Sequence, residues 1–595
     1  MNTRLSTDSE FPFFLQSYGN LKDHIDSQLS ELSSTEKGRI FSELSSRLML
    51  LSSIGQNYDY PKQNEKLTHD DGVDFFATSL EGGNLYCQAK FTIPSVKEFD
   101  SIISKFHDYY RKLSSQYSDI HQGSIFELIG THEDQSLFPG GQDQNPLFMI
   151  VTLSNITRNI VPKYLNSSYA SKDFFLALKK LGGIEIIDGP EILNLLKTAY
   201  TKAFELPSNL DISFTTKPIH QDNVYIGVVT GLELKKHYDK FGDSIFLENI
   251  RDFLGFDKGD RKGRASVNNA ILDTVNSEPG KMLSRNNGIT FKAESVSAAE
   301  SKSCLTLKKA SIVNGCQTTM ALVKNASSNA SVLVKIVETK DSWDIAKSAN
   351  FQNEVKQIEL DLARYIRPQT IKKAVTEHGI GLSLDQGSPN SILDALNVVY
   401  KDQVAYNQAY ALFIGFFSKN VSNVLRPNYT ELRNNILNEF TFEDPDGQKT
   451  YQFLIDLMVT SEKARKRILN LKSKTSDNLL LEFQRFFADE NTRYHSIITV
   501  LASCCSVRKN IYDQRMVSKF GDLSVFFNDV SIVISNNEEE YIKAYVEGFK
   551  TVMQCIVATN KDIIEIKKDM NSLMRSLKFA NVYSMVLSAL DMMGV

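Results

Sequence analysis

The stretch DDGVDFFATSLEGGNLYCQAKF (70–91) constrains the fold of this chain more than any other. It holds two apolar runs separated by Glu81-Gly82-Gly83-Asn84, a strong turn signal. Side chains alternate between the faces of a strand. Leu85, Cys87, Ala89 and Phe91 therefore form one face, and Tyr86, Gln88 and Lys90 the other. In the first run Val73, Phe75 and Ala77 share a face, with Asp74 and Phe76 opposite. The pattern predicts a hairpin that carries Asp74, Gln88 and Lys90 on one side. Two explanations of these polar groups stay open: a solvated sheet face, or convergence on a metal ion and a phosphate.

The surroundings of the hairpin read as a mixed α/β domain over 1–205. SSTEKGRIFSELSSRLMLL has Ser-Ser-Thr-Glu as a helix start and apolar residues at helical spacing: Ile40, Phe41, Leu44, Leu48 and Leu51. After the hairpin, Pro94 opens an amphipathic helix with Phe99, Ile102, Ile103 and Phe106 on one side. LFMIVTLS (147–154) is a continuous apolar run of the kind found in buried parallel strands. A helix ending at glycine and the strand-turn-helix IEIIDGPEILNLL complete the order. Residues 206–220, with Pro207 and Pro218, read as a linker. A second α/β region runs over 220–395, and 396–595 is helix-patterned throughout, an all-α region.

Three pieces of the first region together resemble the PD-(D/E)xK nuclease fold, in its Mrr-like restriction-endonuclease branch. They are GRIFSELSSRL (38–48), GVDFF…YCQAKF with the Q-x-K form of the signature, and IEIIDGPEIL (184–193). The resemblance implies a metal-dependent DNA endonuclease with catalytic residues Asp74, Gln88, Lys90 and Glu43. Phosphodiester cleavage must stabilise extra negative charge on the scissile phosphate. Mg2+ (or Mn2+) does this and prefers oxygen ligands. Asp74 would supply a carboxylate, Gln88 its side-chain carbonyl and Ala89 its backbone carbonyl. Lys90 would orient or help deprotonate the attacking water, or neutralise the transition state, and Glu43 would add an outer-sphere or a direct contact.

The second region contains SIVNGCQTTMALV (311–323), an apolar strand running into Asn-Gly and then an apolar helix. Asn314 and Gly315 tolerate positive φ, Thr318 and Thr319 are helix-cap types, and such a turn presents backbone N–H groups to an anion. A well-capped structural turn is the alternative. Five ordered blocks of this region resemble the abortive-infection phage-resistance (AIPR) family: FLENIRDFLG (246–255), VNNAI (267–271), SRNNGITF (284–291), IVNGCQTT (312–319) and SANFQNEV (348–355). A more distant likeness is to the ParB/sulfiredoxin-type core, in which such a turn grips nucleotide phosphates, although Thr318-Thr319 stand where that fold usually has Arg. These likenesses imply a phosphate or nucleotide site drawn from Asn287, Asn314, Gly315, Gln317, Thr318, Thr319, Asn350 and Gln352.

Composition narrows the remaining choices. With 595 residues, 42% hydrophobic and 23% charged, the chain is ordinary globular material of several domains. No apolar run reaches the roughly 20 residues of a membrane span. The N-terminus has no signal-peptide core, and the six cysteines show no zinc or disulfide spacing, so a cytoplasmic setting is expected. The nine histidines are scattered without metal-site spacing. Net charge is −4, so nucleic-acid binding must come from local patches. DKGDRKGR (257–264) and SEKARKRILNLKSK (461–474) supply them, with Arg261, Lys262, Arg264, Arg465, Lys466 and Arg467 as backbone contacts; solvated faces are the plainer reading. The whole reads as a bacterial anti-phage defence protein, a Mg2+-dependent DNA endonuclease controlled by its AIPR region. The alternative is a nucleotide- or nucleic-acid-binding sensor, or partner subunit, whose nuclease domain is weak or inactive. DNA is the expected partner. A nucleotide or phage-derived trigger and a second copy of the chain are compatible with it, and a membrane is not expected.

Overall fold

A computed structural model describes residues 11–63, 72–79, 83–117, 146–249, 267–298, 303–325, 329–340, 345, 368–383, 392–401 and 403–405. They fall into two compact units, one drawn from 3–203 with 385–401, the other from 204–384 with the chain from 402 onward. The sequence boundary between 395 and 396 cuts through 392–401, described residues that group instead with the N-terminal unit. Nearly all of the all-α region proposed for 396–595 lies outside the described residues. No helix among the described residues is long and apolar enough to cross a membrane.

The first unit opens with three helices, α1 (Phe13–Gln16), α2 (Tyr18–Leu29) and α3 (Ser34–Leu51). A full capping box starts α3: the Ser33 side chain accepts from the Glu36 N–H, and Glu36 accepts from the Ser33 N–H. Its apolar positions Phe41, Leu44 and Leu48 are buried, as the spacing predicts.

A five-stranded sheet follows, ordered β1-β2-β3-β4-β5, from β1 (Lys62–Gln63), β2 (Phe75–Thr78), β3 (Asn84–Lys90), β4 (Leu147–Thr152) and β5 (Ile184–Ile187). The expected hairpin is present: β2 and β3 are antiparallel with Phe75 opposite Cys87. β4 is parallel to β3 and β5 parallel to β4, as continuous apolar runs require. The two-residue β1 on β2 is too short to show period 2 in the sequence.

Helices cover this sheet. One face holds Tyr86, Phe148 and Ile150, packed with Phe99, Ile102, Ile103 and Phe106 of α4 (Val96–Tyr117). The other receives α3, whose Phe41 ring meets Phe91 edge-on at 5.4 Å. Short helices α5 (Ile156–Asn159) and α6 (Val161–Leu165), then α7 (Lys172–Lys180) and α8 (Gly189–Phe204), complete the consecutive part.

The second unit is also α/β. β6 (Asn209–Ser213) pairs with β11 (Cys304–Lys308), itself paired with β10 (Ser295–Ala298), in a three-stranded antiparallel sheet. The expected linker 206–220 is thus part of a sheet. Leu210 and Ile212 alternate inward with exposed neighbours, and the two prolines bracket this short strand rather than marking free chain. The main sheet has the order β12-β9-β13-β8-β7, with β7 (Ile219–Gln221), β8 (Val224–Thr230), β9 (Ile289–Ala293), β12 (Ser311–Asn314) and β13 (Ser331–Glu338). Of its neighbouring pairs, only β9 and β13 run parallel. The helices of this unit include α9 (Gly231–Phe241), α10 (Val267–Ser277), α11 (Met282–Arg285), α12 (Cys316–Lys324) and α13 (Pro368–Glu377). A further helix, α14 (Ile392–Asn397), belongs to the first unit.

Candidate functional site

Asp74 closes the open end of the β2–β3 hairpin. Its N–H donates to the Cys87 carbonyl at 2.8 Å, and its Oδ2 accepts from the Ala89 N–H at 2.7 Å. These two bonds straddle Gln88, and continuing the ladder register sets Asp74 across from it. The negative charge of Asp74 is felt locally: burial first, and then that charge, push the Cys87 thiol well above its ordinary range.

Gln88 overturns the solvated-face explanation. It is 0% exposed, because its parallel-strand neighbour is Ile150 and that face lies under α4. Neither its Oε1 nor its Nε2 has a hydrogen-bond partner. A buried amide left so costs roughly 1–3 kcal/mol. Lys90, half-buried, ends β3 next to Thr152 of β4. Thr152 is fully buried, and its Oγ1 accepts from the Ser154 N–H at 3.2 Å. Thr152 carries no sequence signal, since it closes an apolar run with an ordinary β-branched residue.

Glu43 lies on a different element. It projects from α3, on the helix that covers the opposite sheet face, and its carboxylate lies 3.8 Å from Arg47. Among the described residues there is no group of three or more His, Cys, Asp or Glu able to hold a metal. The oxygen set of Asp74, Gln88 and Ala89 has a single carboxylate. Its hard donors suit Mg2+ or Mn2+, and the unpartnered Gln88 Oε1 is the observation that fits such an ion.

In the second unit, β12 runs into the turn with Gly315 at φ 97°, the left-handed conformation the sequence led one to expect there. Asn314 differs: it finishes β12 as an extended residue. Thr318 and Thr319 differ too, because α12 begins at Cys316 and puts both inside its first turn. The Thr319 hydroxyl donates back to the Gly315 carbonyl at 2.9 Å, and the helix start has no side-chain cap. Thr318 instead pairs with Asn286, whose Nδ2 donates to Thr318 Oγ1 at 3.0 Å. Asn286 Oδ1 in turn accepts from the Gly288 N–H at 2.9 Å. The neighbouring Asn287, the sequence candidate, is exposed. Asn286 was findable: Asn two residues before a Gly is an Asx-turn signature.

The two turns press together. A Cβ on Gly315 would stand 3.0 Å from the Gly288 carbonyl oxygen, and one on Gly288, at φ 85°, 2.5 Å from the Leu333 carbonyl oxygen. The segment around Phe246 is anchored to the same strands. Asn249 Nδ2 donates to the Ile312 carbonyl at 3.1 Å, and buried Lys292 pairs with Glu248 at 3.1 Å. Gln317 is half-buried in the first turn of α12. Asn350, Gln352, Arg261, Lys262, Arg264, Arg465, Lys466 and Arg467 lie outside the described residues.

The architecture so described is that of a two-unit α/β protein in which three of the sequence blocks, around 246, 286 and 314, meet on one sheet. The family model for AIPR protein matches residues 246–590. The chain belongs to the AIPR family, and that membership associates it with abortive infection, a phage-defence role. No curated protein and no solved structure matches the chain significantly.

Proposed function

We propose that the first unit is a Mg2+- or Mn2+-dependent endodeoxyribonuclease of the Mrr-like PD-(D/E)xK type, and that the AIPR region controls it. The observation that carries this reading is Gln88: a fully buried amide, unpartnered at both atoms, straddled by the bonds of Asp74 and two residues before Lys90. A sheet interior has no structural use for such a group, whereas a cation would satisfy its carbonyl. The antiparallel β1-β2-β3 meander followed by a helix and a parallel β4 also supports the reading, since it matches the element order of that fold. Asp74, Gln88 Oε1 and the Ala89 carbonyl would hold the ion, which would stabilise charge on the scissile phosphate. Lys90, at the end of β3, would orient the attacking water and neutralise the developing charge. In the AIPR region the uncapped start of α12 favours binding of a phosphate-bearing trigger by Gly315, Gln317 and Thr318.

The test is incubation of the purified full chain with plasmid and phage DNA, with Mg2+, Mn2+ or EDTA, beside Lys90→Ala and Asp74→Asn. Asp74→Asn keeps an acceptor for the Ala89 N–H and removes the charge. Metal-dependent cutting lost in both variants is the expected result, with a rate reduction on the order of 100-fold or more. Full cutting by Lys90→Ala would defeat the assignment.

A further inference from the structure

Residues 392–401 return to the first unit from the part of the sequence that the AIPR family model covers. Helix α14 packs on α3, with Ile392, Leu393, Ala395 and Leu396 buried, followed by buried Val399 and Tyr400. Three polar contacts fix the segment. Arg47 of α3 meets Asp394 at 3.0 Å, Lys401 meets Glu31 at 3.0 Å, and the Lys401 N–H donates to Gln28 Oε1 at 3.2 Å.

This docking is apolar in its driving force and poorly satisfied in its polar groups. The Tyr400 hydroxyl is buried without a hydrogen-bond partner, as are His24 Nε2, whose ring meets Tyr400 at 5.6 Å, and Arg47 Nε. Such groups regain water when the segment lifts, so undocking recovers part of what it loses. An element held by opposing terms of this kind is suited to two positions.

Arg47 is the shared group. It stands 3.0 Å from Asp394 and 3.8 Å from Glu43 on its own helix. The same helix places Phe41 edge-on against Phe91, the residue after Lys90. A path of direct contacts therefore runs from Asp394 through Arg47 and α3 to the strand end that bears Lys90.

We propose that residues 392–401 are a regulatory strap through which the AIPR region sets the position of α3, with the docked strap being the cleavage-competent state. Docked, Asp394 draws Arg47 away from Glu43, and α3 holds Phe91 and the end of β3. Lifted, Arg47 closes on Glu43 and the packing behind Lys90 loosens. The link to cleavage rests on the nuclease reading; the strap and its coupling to α3 do not.

The experiment is amide hydrogen exchange on the full chain, wild type beside Leu396→Ala and Tyr400→Phe, with DNA cleavage measured in parallel. Leu396→Ala should speed exchange at 392–401, in α3 and at the Phe91 end of β3 by about tenfold or more, with β4 and β5 unchanged, and should lower the cleavage rate. Tyr400→Phe, which removes the unpartnered hydroxyl, should slow exchange at the same positions. Exchange at 392–401 that moves only together with β4 and β5 would make the segment an ordinary part of the core and overturn the proposal. So would a loosened strap that leaves α3 unchanged, or one that leaves an active enzyme's cleavage rate unchanged. If no form of the chain cuts DNA, the nuclease reading fails, and the exchange data still decide the strap.

Discussion

Replacing Gln88 by Leu should make the protein more stable and less active at once. The amide is fully buried and lacks a partner at both atoms, so its desolvation is uncompensated at a cost of roughly 1–3 kcal/mol. Leu has a similar volume and no polar atom, and its neighbours on that face, Tyr86 and Ile150, belong to an apolar cluster. The expected gain is therefore about 1–3 kcal/mol. For a unit of this size each kcal/mol moves the melting temperature by roughly 2–4 °C, so a rise of roughly 2–12 °C is expected. Thermal unfolding of wild type and variant without divalent metal measures it. Isothermal calorimetry with Mg2+ and Mn2+ then measures what the change costs in metal binding. A variant that melts several degrees lower would show that the Gln88 amide is satisfied in the folded protein, and the reasoning that makes it a metal ligand would lose its foundation.

Gln88→Glu adds a carboxylate with the same geometry and should keep cleavage while tightening Mg2+ binding by calorimetry; a variant that binds Mg2+ but is dead would argue that the amide N–H is the group in use. Gly288→Ala and Gly315→Val, both at positive φ and both facing backbone oxygens within 3.0 Å, should each lose roughly 1–3 kcal/mol in chemical denaturation, and an unchanged midpoint would contradict the described turns. Asn286→Ala removes the bonds to Thr318 and to the Gly288 N–H and should cost about 1–2 kcal/mol, whereas Asn287→Ala should leave the denaturation midpoint unmoved. Glu233 gives a pH prediction: burial works to raise its carboxyl, but hydrogen bonds from His237 and the Ser213 N–H outweigh burial and hold it down at about 2. A carboxyl depressed in the folded state stabilises fully above its unfolded value and loses that contribution as pH falls toward 2, on the order of 3 kcal/mol here. Glu233→Gln should therefore flatten the acid limb of the stability profile between about pH 4.5 and 2, and an unchanged limb would refute the assignment.

What the sequence revealed of this structure is what short-range periodicity can carry. The hairpin faces, the cap at Ser33 and Glu36, the buried side of α4 and the parallel setting of β4 each depend on residues within one or two turns of each other. The misreadings fall where a distant partner decides. Gln88 looked like half of a wet face because nothing in 84–90 shows that α4 lies across it. Pro207 and Pro218 looked like linker marks because β11, the strand that recruits Leu210 and Ile212, comes almost a hundred residues later. Thr318 and Thr319 have the chemistry of caps, but the helix starts at Cys316 and turns one hydroxyl to Asn286 and the other to the Gly315 carbonyl. Residues 392–401 carry no local sign that they belong with α3. The charged partners Arg47 and Asp394 are too common as types to be matched across such a distance.

That distance sets an order of events during synthesis. The bond from the Lys401 N–H to Gln28 spans 373 residues. At roughly 5–20 residues per second, a ribosome that has finished residue 203 needs about 10–40 s more to reach residue 401. Throughout that interval the N-terminal unit must wait with the surface of α3 that receives Leu393 and Leu396 uncovered. It can be completed only once the AIPR core through residue 384 has been translated. A chain broken off before then would carry Asp74, Gln88 and Lys90 in an unfinished scaffold. Nascent-chain protease protection should accordingly rise in two steps, the second after residue 401 has cleared the exit tunnel.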